Sequence, residues 1–166
     1  MKQELVVTPW GARYLGRRFP CTLGRGGVTR TKQEGDGATP AGQHRIIGML
    51  YRPDRLRGQA LPGWAVPIRP GDLWSDDPAD PAYNHPVRVP HRFGHEQLRR
   101  ADPLYDLVLI TDWNYPVTTA GMGSAIFLHR WRKTCHPTAG CVAFAPQDLL
   151  WIARHLVPGT PLRVIA

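Results

Sequence analysis

A cysteine that follows a glycine and precedes an apolar run is placed to act as a nucleophile, and Cys141 stands in that setting within Thr138-Ala139-Gly140-Cys141-Val142-Ala143-Phe144. The thiolate is the reactive form, and a neighbouring base or helix N-terminus favours it. His129 ends an apolar run upstream, where a returning loop would set its imidazole beside the sulfur as a general base. Gly140 lets the backbone approach a substrate closely, and the N–H groups of its turn are placed to receive the oxyanion of an attacked carbonyl. Cys141, His129 and Gly140 together spell acyl transfer through a thioester.

The same segment supports other chemistry. His129, Cys135, His136 and Cys141 form a two-Cys, two-His set of the kind that binds zinc, although adjacent Cys135 and His136 rarely both reach one tetrahedral ion. A Cys135–Cys141 disulfide in an oxidising compartment would silence the nucleophile. A buried free cysteine is also a small apolar residue in its own right. With Cys21 the cysteines number three, so at least one thiol is unpaired. The expectation is an enzyme with no metal and no cofactor.

The elements that must position these residues read as mainly β. Residues 4–8, 12–15 and 19–24 are short strands between Gly and Pro turns. Residues 24–43 are polar and Gly-rich, predicting a long exposed loop, and residues 44–51 regain the β pattern. Residues 52–90 carry Pro, Asp and Trp in a layout of edge strands and ordered turns. A short helix is predicted over residues 95–100, and the strongest strand signal, a central-strand candidate, covers residues 104–111. A buried strand over 124–129 delivers His129 at its end. Residues 145–156 have helical apolar spacing with Pro146 near the start and Pro158-Gly159 as the stop, and a closing strand follows over 161–165.

Composition narrows the classes further. The 166 residues form one expected domain, 1–166, large enough for its own core, and 17 Gly with 17 Pro argue against long helices. No stretch approaches the roughly 20 apolar residues of a membrane-spanning helix, so no integral membrane segment is predicted. The opening MKQELVVTPW holds only a three-residue apolar run, too short for a signal-peptide core. The net charge of +8 implies an anionic partner. Its arginines are dispersed among prolines and apolar strands rather than gathered with exposed aromatics, which argues against nucleic acid. A basic binding module stabilised by zinc is the alternative outside enzymes. Six tryptophans, Trp64, Trp74 and Trp131 among them, fit burial better than a sugar groove.

The run Ile126-Phe127-Leu128-His129 followed by Pro137-Thr138-Ala139-Gly140-Cys141-Val142-Ala143-Phe144 resembles the His-then-Gly-Cys signature of the YkuD-type L,D-transpeptidases. Gly35-Asp36-Gly37-Ala38-Thr39-Pro40-Ala41-Gly42 is similar to the Thr-Pro-x-Gly motif of that family, and the Asp148-Leu149 helix and the Pro158-Gly159-Thr160 lead-in match as well. Where the family often has Ser-His-Gly-Cys followed by Arg or Asn two places on, this chain has Thr138-Ala139-Gly140-Cys141 and Ala143. The resemblance implies a compact β-sandwich with one or two short helices, peptidoglycan stem peptides as substrate, and a place in the periplasm or cell envelope, with the cytoplasm as alternative.

The same resemblance makes Cys141 the nucleophile and His129 the base. The residues Leu50-Tyr51-Arg52-Pro53-Asp54-Arg55-Leu56 are similar to a short proteobacterial branch that joins L-alanine of one stem to diaminopimelate of another, giving 1-3 links. The rival outcomes are 3-3 links and hydrolysis as an L,D-carboxypeptidase or amidase. Stem peptides are rich in carboxylates, so Arg55, then Arg52 and Arg130, are candidate carboxylate forks. Tyr51, Thr138 and His136 are further substrate-binding candidates, with Asn84 and His85 behind them. The oligomeric state is not encoded.

Overall fold

The computed structural model describes residues 3–166. The chain runs β1 (Leu5–Thr8), β2 (Gly11–Tyr14), β3 (Arg17–Phe19), β4 (Cys21–Thr22), β5 (Val28–Thr29), β6 (Thr39–Pro40) and β7 (Gly42–Tyr51). It continues through β8 (Val66–Pro67), β9 (Asp72–Ser75), β10 (Pro86–Arg88), β11 (His95–Gln97) and β12 (Leu107–Thr111). The last elements are β13 (Phe127–Arg130), β14 (Val142–Phe144), α1 (Pro146–His155) and β15 (Thr160–Val164). The mainly-β expectation holds, with one helix among the described residues.

One sheet dominates, in the order β3-β2-β1-β15-β7-β12-β13-β14-β4, with β8 added beside β7. Its two end strands, β3 and β4, are joined through Pro20 alone, so the sheet curls until its edges nearly meet. Proline has no N–H for a ladder and suits such a corner. Near-closure leaves little unpaired edge.

The curl gives the central strands two buried faces. On the inner face Leu107, Leu109, Leu128, Val142 and Phe144 pack with Leu149, Ile152 and Leu156 of α1. On the outer face Val108, Ile110 and Phe127 pack with Ile68, Trp74, Leu98 and Tyr105. The small sheet β10-β9-β11 supplies Trp74, so it covers the outer face. All five residues of β12 are buried, which explains why its apolar run is continuous rather than alternating. The helix starts with Pro at its first turn and carries Asp148 there, with Arg154 and His155 in the last turn, in line with the helix dipole.

Three sequence expectations change. Residues 95–97 are a strand, because Glu96 pairs with Trp74 and the Leu98 N–H bonds the Asp72 carbonyl. Six residues are too few to sustain a helix unaided, and the ladder to β9 outcompetes it. The polar stretch 24–43 is not wholly irregular, since β5 and β6 pair in parallel within it. The central strand also starts later than the apolar run suggests, because Asp106 closes a turn on Pro103 before β12 begins.

Candidate active site

The β13–β14 pairing sets the site. These strands run parallel, with Leu128 opposite Val142 and His129 opposite Ala143. Side chains alternate along a strand, so Leu128 and Val142 share the inner face while His129 and Cys141 both point outward. The crossover of residues 131–141 that parallel pairing demands is exposed over most of its length and folds beside the site. Cys141 and His129 line one cavity of about 500 Å³, with Glu96, Arg100, Tyr105 and Thr138 among its other walls.

Both groups are buried and both rest uncharged. The Cys141 thiol donates to the Ala125 carbonyl at 3.1 Å, and its sulfur accepts the Phe127 N–H at 3.4 Å. Burial pushes this thiol up to about 12, the nearby Glu96 charge adds to the rise, and the Phe127 N–H and Lys32 oppose it. His129 Nδ1 lies 2.6 Å from the Arg130 carbonyl. A carbonyl only accepts, so Nδ1 bears the proton and Nε2 keeps its lone pair. Burial pulls His129 down to about 4, against the Arg130 bond that favours the charged ring, and the Arg100 guanidinium deepens the fall. A neutral imidazole facing the cavity of a neutral thiol is equipped to take a proton during attack rather than to hold a preformed ion pair.

The turn before the nucleophile is locked from inside. Thr138 Oγ1 accepts the Gly140 N–H at 3.1 Å and donates to the Cys141 carbonyl at 2.6 Å. Gly140 sits at φ 141°, and a Cβ there would stand 3.0 Å from the Ala38 carbonyl oxygen, so glycine is required. From the other side Thr39 Oγ1 accepts the Gly24 N–H at 2.9 Å and donates to the Gly140 carbonyl at 2.8 Å.

Asn84 holds Ala125, whose carbonyl receives the thiol. Its Oδ1 accepts the Ala125 N–H and the Trp74 Nε1–H, both at 2.9 Å, and its Nδ2 donates to the Trp113 and Asn114 carbonyls. Ala125 is itself in the left-handed region at φ 51°, a conformation that costs on the order of 1 kcal/mol and survives because its neighbours fix it.

Residues 3–164 match the family model described as the YkuD L,D-transpeptidase catalytic domain. The chain belongs to the YkuD family. No curated protein matches it. Among solved structures it is similar to an L,D-transpeptidase from Mycobacterium smegmatis at 14% identity and TM-score 0.46, covering 99% of this chain and 59% of that one. It is also similar to Mycobacterium tuberculosis L,D-transpeptidase 1 at 13% identity and TM-score 0.43, covering 99% and 62%. A third is Mycobacterium tuberculosis L,D-transpeptidase 3 in complex with a faropenem-derived adduct, at 12% identity and TM-score 0.47, covering 98% and 60%. The chain therefore spans less than two thirds of the length of these structures.

Within this YkuD domain the residues singled out from the sequence divide. Cys141, His129, Thr138 and His136 line the cavity, and Gly140 shapes the turn behind it. The Thr138 hydroxyl is committed to the turn, and His136 is exposed on the crossover. Tyr51 and Arg55 lie elsewhere. Tyr51 ends β7 against the inner core, and Arg55 pairs with Asp106 at 2.9 Å while bonding the Ala101 and Asp102 carbonyls. Arg52 is buried on Asp54 and the Arg100 carbonyl, and Arg130 lines a separate cavity near α1. Asn84 makes all its bonds within the protein, so it positions rather than binds. The zinc set does not assemble, because Cys135 is exposed on a different cavity and all three cysteines are free thiols.

The cavity also contains residues that the sequence pattern did not mark. Tyr105 is buried, donates to the Glu96 carboxylate, and sets its ring 5.4 Å from that of His129. Arg100 holds Asp102 at 2.7 Å and lies 5.2 Å over the Tyr105 ring. Arg25 and Arg132 complete the wall. Glu96 was hidden by the helical reading of 95–100, and the arginines by their dispersal.

Proposed function

We propose that this YkuD domain is a peptidoglycan L,D-transpeptidase in which Cys141 attacks the carbonyl of an L-residue followed by a D-residue in a stem peptide. The reading is carried by the β13–β14 register, which sets the Cys141 thiol and the neutral His129 imidazole on one face of one cavity. His129 Nε2 takes the thiol proton as the C–S bond forms, and the Gly140–Cys141 turn receives the oxyanion on its amides. The Gly140 N–H leaves Thr138 to do so. Collapse breaks the amide C–N bond, and the His129 proton goes to the departing D-amine. The diaminopimelate amine of a second stem then attacks the thioester, gives its proton to His129 and displaces the thiol.

In this reading residues 1–166 act as one catalytic domain in the cell envelope, the donor carbonyl is that of L-alanine, and the product is a 1-3 cross-link. The support for this linkage is the likeness of residues 50–56 to the short branch of the family. Incubating the protein with muropeptides that carry diaminopimelate and analysing products by mass spectrometry tests the whole scheme. Cross-linked dimers and an acyl adduct on Cys141, both absent from Cys141→Ala, are expected, and fragmentation reads 1-3 against 3-3 linkage. Trimmed monomers alone would replace the transferase by a hydrolase, and no reaction would sink the acyl-transfer reading.

A further inference from the structure

Charges around the cavity are segregated. Glu96, entering from β11, is the one carboxylate among the lining residues, and no ion pair involving it occurs among the described residues. Its single side-chain partner among the described residues is the Tyr105 hydroxyl on one oxygen, and Glu96 lines the cavity. Burial pushes the Glu96 carboxyl up, the Tyr105 bond and the Arg100 charge pull against that rise, and the charges of Asp76 and Glu34 add to it. A cation at Glu96 would relieve both effects. Arg25 and Arg132 line the cavity from other segments, the turn after β4 and the crossover before Cys141. Both are exposed and neither has an ion-pair partner among the described residues, whereas Arg100 is already held by Asp102. Unpaired charges of both signs therefore share one cavity with the thiol.

Resting on the acyl-transfer reading, we infer that Glu96 holds the ammonium, and Arg132 with Arg25 the adjacent carboxylate, of the zwitterionic amino-acid centre whose amine resolves the Cys141 thioester. The reacting end of the donor offers no such pair, because the nitrogens flanking the scissile L-alanine carbonyl are amides, and the amine that attacks belongs to the acceptor. The side-chain centre of diaminopimelate bears an amine and a carboxylate on one carbon and matches the segregated walls. Glu96 is a positioning group in this scheme. It fixes the ammonium beside the thioester. His129, neutral in the resting site, takes one ammonium proton and later releases it to solvent. The free amine attacks, and as the C–N bond forms and the C–S bond breaks the second proton passes from the tetrahedral nitrogen to the departing Cys141 thiolate.

Glu96→Gln tests the assignment without removing a packing group, since the amide oxygen still accepts from Tyr105. Wild type and variant are loaded with a tetrapeptide muropeptide donor, the adduct on Cys141 is read by intact mass, and a tripeptide stem ending in diaminopimelate is added. The ratio of cross-linked to hydrolysed product is then measured at several acceptor concentrations. Glu96→Gln is expected to lower that ratio at least tenfold through a raised KM for the acceptor. Amidating the side-chain carboxylate of the acceptor should lower it similarly in the wild type, with Arg132→Gln adding little further on the amidated stem. A normal adduct with an unchanged ratio in Glu96→Gln would overturn the acceptor site and leave the transpeptidase intact. Loss of the adduct in the variant would make Glu96 part of nucleophile formation and overturn it too. No adduct in the wild type would overturn the acyl-transfer reading, and the acceptor site with it.

Discussion

The two faces of β12, β13 and β14 are equally buried, yet they are built from different residues. Toward α1 most positions are aliphatic or aromatic, with Leu109, Leu128 and Phe144 at or near zero exposure, and only the strand ends Thr111 and Arg130 are polar. Toward the small sheet β13 presents His129 and the residue before β14 is Cys141, and Ser75 of β9 and Asn84 of the loop after it join this face, all buried. Adjacent residues of one strand thus serve opposite ends. The α1 face secures the strands through apolar burial, and that rigidity lets the other face keep uncharged but reactive groups away from water.

The largest expected contrast comes from one substitution on each face. Phe144→Ala removes a fully buried ring from the α1 face and should cost about 3–5 kcal/mol in denaturant unfolding, while the transfer rate per folded molecule stays within about threefold of wild type. Cys141→Ala should do the reverse, losing at least about 10³-fold in cross-linking with a stability change of roughly 1 kcal/mol. A large activity loss per folded molecule in Phe144→Ala would end the division of labour between the faces.

Asn84 tests how far the reactive face depends on its polar frame. Removing its amide in Asn84→Ala leaves the buried Trp74 Nε1–H and Ala125 N–H without acceptors. Each orphaned donor costs about 1–3 kcal/mol, so the variant should lose roughly 2–6 kcal/mol in total. It should also slow acylation, because the Ala125 carbonyl no longer holds the thiol in place. If thermal unfolding moved while acylation did not, Asn84 would be a packing residue only.

Much of this division is legible in the sequence. The continuous apolar run of β12 announced a central strand, and His129 and Cys141, picked out by type and spacing, do line one cavity. What the sequence withheld was contact at a distance. Glu96 joins Tyr105 across nine positions, and Thr39 reaches Gly140 across 101. Neither pairing follows from local spacing. Arg55 looked like a carboxylate fork, but it is taken by Asp106 and two backbone carbonyls, which no composition argument foresees. The strand at 95–97 was misread because its ladder partner, β9, lies twenty residues earlier and decides the conformation.

A smaller effect distinguishes the faces by pH. His129 is held at about 4 in the fold and returns to roughly 6.5 when unfolded. Between these values the unfolded chain binds the proton that the folded chain refuses, so stability falls as pH drops through that window. His129 should contribute a loss of about 2 kcal/mol between pH 7.5 and pH 5. His44, also lowered by burial, adds in the same direction. Chemical denaturation at both pH values, compared with His129→Gln, isolates the His129 share. An identical slope in the variant would mean that the ring is protonated in the native state.

The smallest expected change concerns the bridge from the Thr39-Pro40 motif to the nucleophile turn. Thr39→Val keeps the volume of a side chain with no exposed surface but deletes a donor to the Gly140 carbonyl and an acceptor for the Gly24 N–H. The orphaned amide should cost about 1–2 kcal/mol. The more telling quantity is the rate of Cys141 acylation. Gly140 is pinned by Thr39 on its carbonyl and by Thr138 on its N–H, so releasing one side should loosen the turn that must present both thiol and oxyanion donors. Acylation should therefore fall about tenfold, more than the stability change alone explains at temperatures where the variant stays folded. Unchanged acylation with reduced stability would place Thr39 with the residues of the α1 face, which hold the fold without touching the chemistry.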